Sequence, residues 1–236
     1  ANLSYDTYPE RTKEIIATLE TMSDRVQLMA FTEDVLADPA LASMKERGVI
    51  IPKTIREVPR RQLEFSETSG IFMGDLGKFI NPRITARAQE TYEAIRECLP
   101  DAPIIFLEQY RTSNSIPEWL NNYELVSYSS SIIEHFEKAR IYLHTQNYCT
   151  FEMLPVEAVI AGLPVVHCDM PQSLNTYIGS NGMRYTSLTR MQNLLIDLYN
   201  DQEMWAMASN TGADCARANS QDKQDRQFYF GVKALM

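Results

Sequence analysis

The sequence predicts an α/β fold built on a doubly wound parallel sheet. Three observations carry the prediction. From residue 69 onward, short apolar runs alternate with helix-length segments, a pattern that places helices on both faces of a parallel sheet. Residues 103–108, Pro-Ile-Ile-Phe-Leu-Glu, are almost continuously apolar, as strands covered on both faces are. Residues 151–169 read as a loop, a helix and a buried strand in one stretch.

The elements follow in order. Residues 8–22 make a helix with Ile15, Ile16 and Leu19 on one face. Residues 26–31 read as a strand, 32–45 as a helix, and 48–52, Gly-Val-Ile-Ile-Pro, as a second strand. Residues 55–65, rich in Arg and Glu and holding Pro59, are the best linker. The chain then divides into a short N-terminal part at 1–60, a linker at 61–68 and a Rossmann-like unit at 69–236.

The main unit opens on an apolar strand at 70–76, followed by Gly77-Lys78, Arg83 and a helix through Cys98. The strand at 103–108 ends in Glu108, Gln109, Tyr110 and Arg111. Doubly wound sheets bind ligands outside the carboxyl ends of their strands, so strand ends are where to look for a site. Pro117 and Trp119 lie in a loop or short helix, and 124–128 is another strand. A run of Ser opens a helix at 129–138, which is good N-cap chemistry. The strand at 140–145 carries His144 near its end.

In the central stretch, the spacing predicts a helix from about residue 156 to 161, stopped by Gly162, and a strand at 164–167. Glu157 falls in the first turn, where the helix dipole favours a carboxylate. Free N–H groups at the same helix start can hold an anion. Such a helix start suits a sugar nucleotide, with N–H groups on phosphate oxygens and the carboxylate on hydroxyls. An ordinary capped loop-helix-strand unit has the same spacing. Beyond it come a loop and short helix at 170–178, and a turn and strand at 179–185. An amphipathic helix at 187–200 has Met191, Leu194, Leu195 and Leu198 on one face. Helices at 201–214 and 221–236 complete the chain.

Composition narrows the function. The 236 residues hold 22 Lys and Arg against 31 Asp and Glu, a net charge of −9. That balance argues against broad phosphate-backbone binding. No apolar run is long enough to span a membrane, and no signal-peptide pattern opens the chain. Cys98, Cys149, Cys168 and Cys215 lack metal-site spacing and read as free thiols in a reducing, cytoplasmic setting.

The central stretch resembles the donor-site signature of GT-B glycosyltransferases, especially the retaining family 4. That pattern runs Glu, any residue, Phe-Gly-Leu-Pro-Val-Leu-Glu-Ala-Met-Ala-Cys-Gly-Thr-Pro-Val-Val. Laid without gaps, it matches Phe151, Glu157, Ala158, Gly162, Pro164, Val165 and Val166. The first Glu of the pattern falls on Cys149, and the Gly after Phe falls on Glu152.

The resemblance implies a Rossmann-like, C-terminal GT-B domain. The first 60 residues would be the tail of an N-terminal GT-B domain, or a cap. It implies glycosyl transfer from a nucleotide-diphosphate sugar, with retention, without metal or other cofactor. In the family a Gly-Arg strand end and a later Lys clamp the donor diphosphate. Here Lys78 and Arg83 keep that spacing with the cations exchanged; a competing register places Asp75 at the Arg position. Lys serves as a point charge and Arg as a fork, although surface cations in loops look the same. Lys78, Arg83 and Glu157 are thus the expected catalytic residues. Ser127 and Tyr128 are placed beside the base. His144, Cys149, Thr150, Phe151, Glu152, Met153 and Leu154 would contact the rest of the donor. The acceptor would be a sugar, lipid, protein or DNA, met through the N-terminal domain. Two other readings stay open: a phage-type glucosyltransferase acting on hydroxymethylated DNA bases, and a non-catalytic nucleotide-binding or interaction module.

Overall fold

The computed structural model describes residues 9–22, 28–30, 48–50, 55, 58–61, 64–108, 116–127, 131–146, 152–168, 178, 182–218 and 221–234. The expected helix at 32–45 and the segment at 170–177 lie outside them.

Near the N-terminus, helix α1 (Pro9–Thr21) precedes two short strands, β1 (Leu28–Ala30) and β2 (Gly48–Ile50), which pair in parallel. The other strands among the described residues form one six-stranded sheet. Its strands are β3 (Gly70–Asp75), β4 (Ile104–Glu108), β5 (Glu124–Ser127), β6 (Ala139–His144), β7 (Val165–Cys168) and β8 (Gly182–Tyr185). The spatial order is β5-β4-β3-β6-β7-β8, and every pairing is parallel. The expected doubly wound α/β fold is what the chain adopts. Its winding reverses between β3 and β6, the place where such sheets open a crevice for ligands.

Alternation along each central strand divides the core into two layers. Ile71 and Met73 of β3, Ile104 and Phe106 of β4, and Ile141 and Leu143 of β6 face one layer. Phe72, Ile105, Leu107 and Tyr142 face the other. The first layer is closed by α3 (Ala88–Cys98) and α6 (Leu188–Asn200), through Tyr92, Ile95, Met191, Leu194, Leu195 and Leu198. The four apolar positions expected on α6 are its four buried residues. The second layer is closed by α5 (Met153–Ile160), with Phe136 of α4 (Ile132–Phe136) and Cys215 of α8 (Gly212–Ala218).

Four expectations need correction. The helix expected to run on to residue 138 stops earlier: α4 begins after its N-cap Ser131 and ends at Phe136, where a turn leads into β6 at Ala139. The helix expected after Arg83 and through Cys98 begins only at Ala88 (α3), and a short unexpected helix, α2 (Leu76–Phe79), precedes it across intervening turns. The single helix expected at 201–214 is α7 (Gln202–Asn210) followed by α8, with Thr211 as the C-cap of α7. A Cβ at Gly212 would lie 2.0 Å from the Val159 carbonyl oxygen, so the break is where α8 closes onto α5. The fourth concerns α5 itself and is described with the site.

Described residues of the stretch expected as a linker pack on the core. Ile55 and Val58 belong to the second core layer. The Arg61 guanidinium is buried, and its Nη1 donates to the carbonyls of Phe136 and Ala139, each at 2.7 Å. Burial pushes Arg61 down to about 10. At the other end, α9 (Gln221–Ala234) lies against β2. Among the described residues, no helix is long and apolar enough to cross a membrane.

Candidate functional site

The carboxyl ends of β3 and β6 flank the reversal of winding. Asp75, the buried last residue of β3, caps α2: its Oδ1 accepts from the Lys78 N–H at 2.9 Å. This cap fixes Lys78 one turn beyond the strand end. The β3 register against β4 slips between Phe72 and Asp75, which is where the strand prepares to leave the sheet. From the β6 side, His144, Thr145 and Gln146 are buried at the strand end. The chain then reaches α5, whose N-cap is Glu152.

These two halves meet. Lys78 Nζ donates to both carboxylate oxygens of Glu152, at 2.6 Å and 3.0 Å. The pair is partly sheltered, with 30% of the Lys78 side chain and 13% of the Glu152 side chain exposed. Glu152 makes no side-chain cap to its own helix, because its carboxylate is turned to Lys78 instead.

Helix α5 starts three residues earlier than the sequence implied. Pro155 does not precede the helix but sits in its first turn, where the missing N–H would have no intrahelical acceptor in any case. Glu157 is consequently not a first-turn residue. It is the fifth residue of the helix and is 4% exposed. Met153 and Leu154 supply the first-turn N–H groups that Glu157 was expected to neighbour, and Leu154 packs on the second core layer. The helix closes with a left-handed Gly162 at φ 82°. Leu163 N–H bonds to Ala158 O at 2.9 Å and Gly162 N–H to Val159 O at 3.0 Å, a Schellman ending.

His144 is 1% exposed, and neither ring nitrogen has a hydrogen-bond partner in the described structure. Burial pulls it down to about 3, helped by the nearby His167 and by the positive charge of Lys78. It therefore stands as a neutral imidazole beside the Lys78–Glu152 pair. Arg83 is exposed on the turn before α3, its backbone N–H donating to Asn81 Oδ1 at 3.0 Å. Ser127 is exposed at the end of β5, paired in register with Glu108 and two strands away from β3. Tyr128, Cys149, Thr150 and Phe151 lie outside the described residues. Of the expected residues, Lys78, His144, Glu152, Met153 and Leu154 gather at the reversal point.

Sequence reasoning missed a neighbouring cleft of about 150 Å³. It lies at the ends of β6, β7 and β8 and is lined as well by Arg87, Thr91 and Ser187 at the start of α6. Thr145, Cys168 and Tyr185 also line it. Cys168 Sγ donates to Gln146 O at 2.9 Å, and burial together with Cys168 raises the Tyr185 phenol well above its ordinary value. Its residues come from five elements, so no local motif could have marked it.

No family model matches the sequence, and no curated protein matches it either. The fold, in contrast, has many counterparts among solved structures. Sucrose-phosphate synthase from Thermosynechococcus elongatus superposes with a TM-score of 0.75 at 13% identity, over 100% of this chain and 67% of its own. HepE from Anabaena, in complex with UDP-glucose, gives 0.72 at 15% identity over 97% and 70%. A TarM variant from S. aureus, in complex with fondaparinux, alpha-GlcNAc-glycerol and UDP, gives 0.73 at 16% identity over 92% and 45%. The chain thus spans less than half the length of TarM and about two thirds of the other two. At these identities the likeness speaks for the fold, and the six-stranded unit has the Rossmann-like fold of the GT-B glycosyltransferases.

Proposed function

We propose that this chain binds a nucleotide-diphosphate sugar and provides the donor side of a glycosyl transfer. The observation that carries the reading is the meeting of Lys78 with the start of α5 at the reversal of a doubly wound sheet. A cation after β3 and a helix N-terminus after β6 make a two-sided cradle for a diphosphate. Lys78 and Arg83 neutralise charge developing on the leaving diphosphate, and the first-turn N–H groups of Met153 and Leu154 add oriented donors. No metal is needed in this arrangement. Glu157, buried one turn inside α5, positions the helix start or meets donor hydroxyls from below. The reaction retains anomeric configuration, as in the family whose donor signature the central stretch resembles. The acceptor is met through residues outside this site. Because HepE holds UDP-glucose and the TarM variant holds UDP, uracil is the first base to test.

The test is calorimetric titration with UDP-, GDP- and ADP-sugars, with Lys78→Ala, Arg83→Ala and Glu157→Ala beside the parent. One base is expected to bind selectively. Lys78→Ala is expected to weaken it by about tenfold or more, the worth of a charge-assisted contact to phosphate. A folded parent that binds none of these sugars overturns the reading.

A second reading has one observation in its favour. Lys78 already holds a carboxylate, so the cradle is occupied by the chain's own anion. A non-catalytic module descended from such a fold would be built this way, and the absence of any donor binding would select it.

A further inference from the structure

We infer that Glu152 is a built-in stand-in for the donor's phosphate, so that anion binding at this site proceeds by exchange of one anion for another at Lys78. The inference rests on the proposed donor site and adds how that site is regulated from within.

Three observations converge on Glu152. It is the N-cap of an eight-residue helix, the place where a bound anion would lie. Ser, Thr, Asp and Asn cap a helix from this position through their side chains, whereas the Glu152 side chain makes no such hydrogen bond. Its two oxygens are spent on Lys78 Nζ, at 2.6 Å and 3.0 Å, so a carboxylate occupies the ammonium that would otherwise meet a phosphate as a point charge. The shelter of the pair strengthens the contact over that of a surface bridge, because fewer waters screen it.

Lys78 is anchored from below by the Asp75 cap, so its backbone has little freedom to present the ammonium elsewhere. An incoming diphosphate must therefore displace the Glu152 carboxylate rather than join it. Two anions on one ammonium would repel at close range, with the neutral His144 alongside adding no compensating charge. The cost of parting Lys78 from Glu152 is subtracted from anion affinity. In return, the empty site never exposes an unpaired lysine, and weak anions such as inorganic phosphate are discriminated against relative to a diphosphate.

The probe is inorganic pyrophosphate, which reports on the cradle without depending on the base. It is titrated calorimetrically into the full chain and into Glu152→Gln, Glu152→Gly and Lys78→Ala, with UDP-glucose run in parallel. Folding of each variant is checked by circular dichroism. Glu152→Gln keeps the side-chain shape and removes the charge, and Glu152→Gly covers the case in which the amide fails to fold. The expected result is pyrophosphate binding at least about tenfold tighter in either Glu152 variant than in the parent, and binding lost in Lys78→Ala. Equal affinity in the parent and the Glu152 variants, with Lys78→Ala still weaker, overturns the exchange and leaves the donor site standing. Binding indifferent to Lys78→Ala, or no binding in any folded variant, overturns both.

Discussion

His144 is a titratable side chain kept from titrating. Its folded pKa lies near 3, against an ordinary value of about 6.5, because a buried imidazolium would lose water and gain no partner while His167 and Lys78 oppose its charge. Between those two values the unfolded chain binds a proton that the folded chain does not. Stability therefore falls as pH drops from about 6.5 towards 3, by at most about 1.4 kcal/mol per pH unit from this one group, and levels off below. Urea unfolding at pH 7, 6 and 5 checks this. His144→Leu is expected to unfold close to the parent at pH 7 and to show a flatter acid slope. The same slope in both would place the acid sensitivity elsewhere. At this scale the sequence was legible one residue at a time. Lys78 could be read as a cation after a strand, and Glu152 as a departure from a donor signature. Their contact could not be read, because 74 positions separate them and only the reversal of the sheet brings them together.

Among the elements, legibility followed the contrast between buried and exposed faces. Helix α6 has both, so Met191, Leu194, Leu195 and Leu198 stood out at helical spacing, and Ser187 marks its start by accepting from Arg190 N–H. Helix α5 has no exposed face over residues 155–160, where every residue is buried, so periodicity gave no phase. A start at residue 156 leaves Pro155 outside the helix, whereas a proline is tolerated in a first helical turn. That three-residue error moved Glu157 away from the helix start and left Glu152 there. The end of α5 was readable because Gly162 adopts a conformation that L residues resist. A Cβ at Gly162 would also lie 3.3 Å from Ser209 Oγ. Gly162→Ala is therefore expected to destabilise the chain by about 1–2 kcal/mol, the cost of a left-handed non-glycine residue. A shift in urea midpoint with an unchanged slope would report it. An unshifted midpoint would mean that the α5–β7 turn can relax without cost.

Across the whole molecule, the site belongs to neither half of the sheet alone. Lys78 comes from the β3 side and the α5 start from the β6 side, and the two are held in register by the β3–β6 pairing of Gly70 with Ala139, Ile71 with Ile141 and Phe72 with Tyr142. The alternation of apolar and helical segments made this architecture legible, since only a parallel sheet covered on both faces satisfies it. A ligand that bridges the two sides has no counterpart in the unfolded chain, so it stabilises the folded state by mass action. At a hundred times its Kd, a donor nucleotide sugar is expected to add about 2.7 kcal/mol. For a chain of this size that raises Tm by about 5–10 °C. Thermal unfolding with UDP-glucose at rising concentration checks it, with Lys78→Ala as the comparison. The parent is expected to shift progressively and the variant little, because the variant keeps the fold and loses one wall of the cradle. Equal shifts in both would mean that the nucleotide sugar is held somewhere other than the reversal of the sheet, and the cleft bounded by Arg87, Thr91 and Tyr185 would then be the place to look.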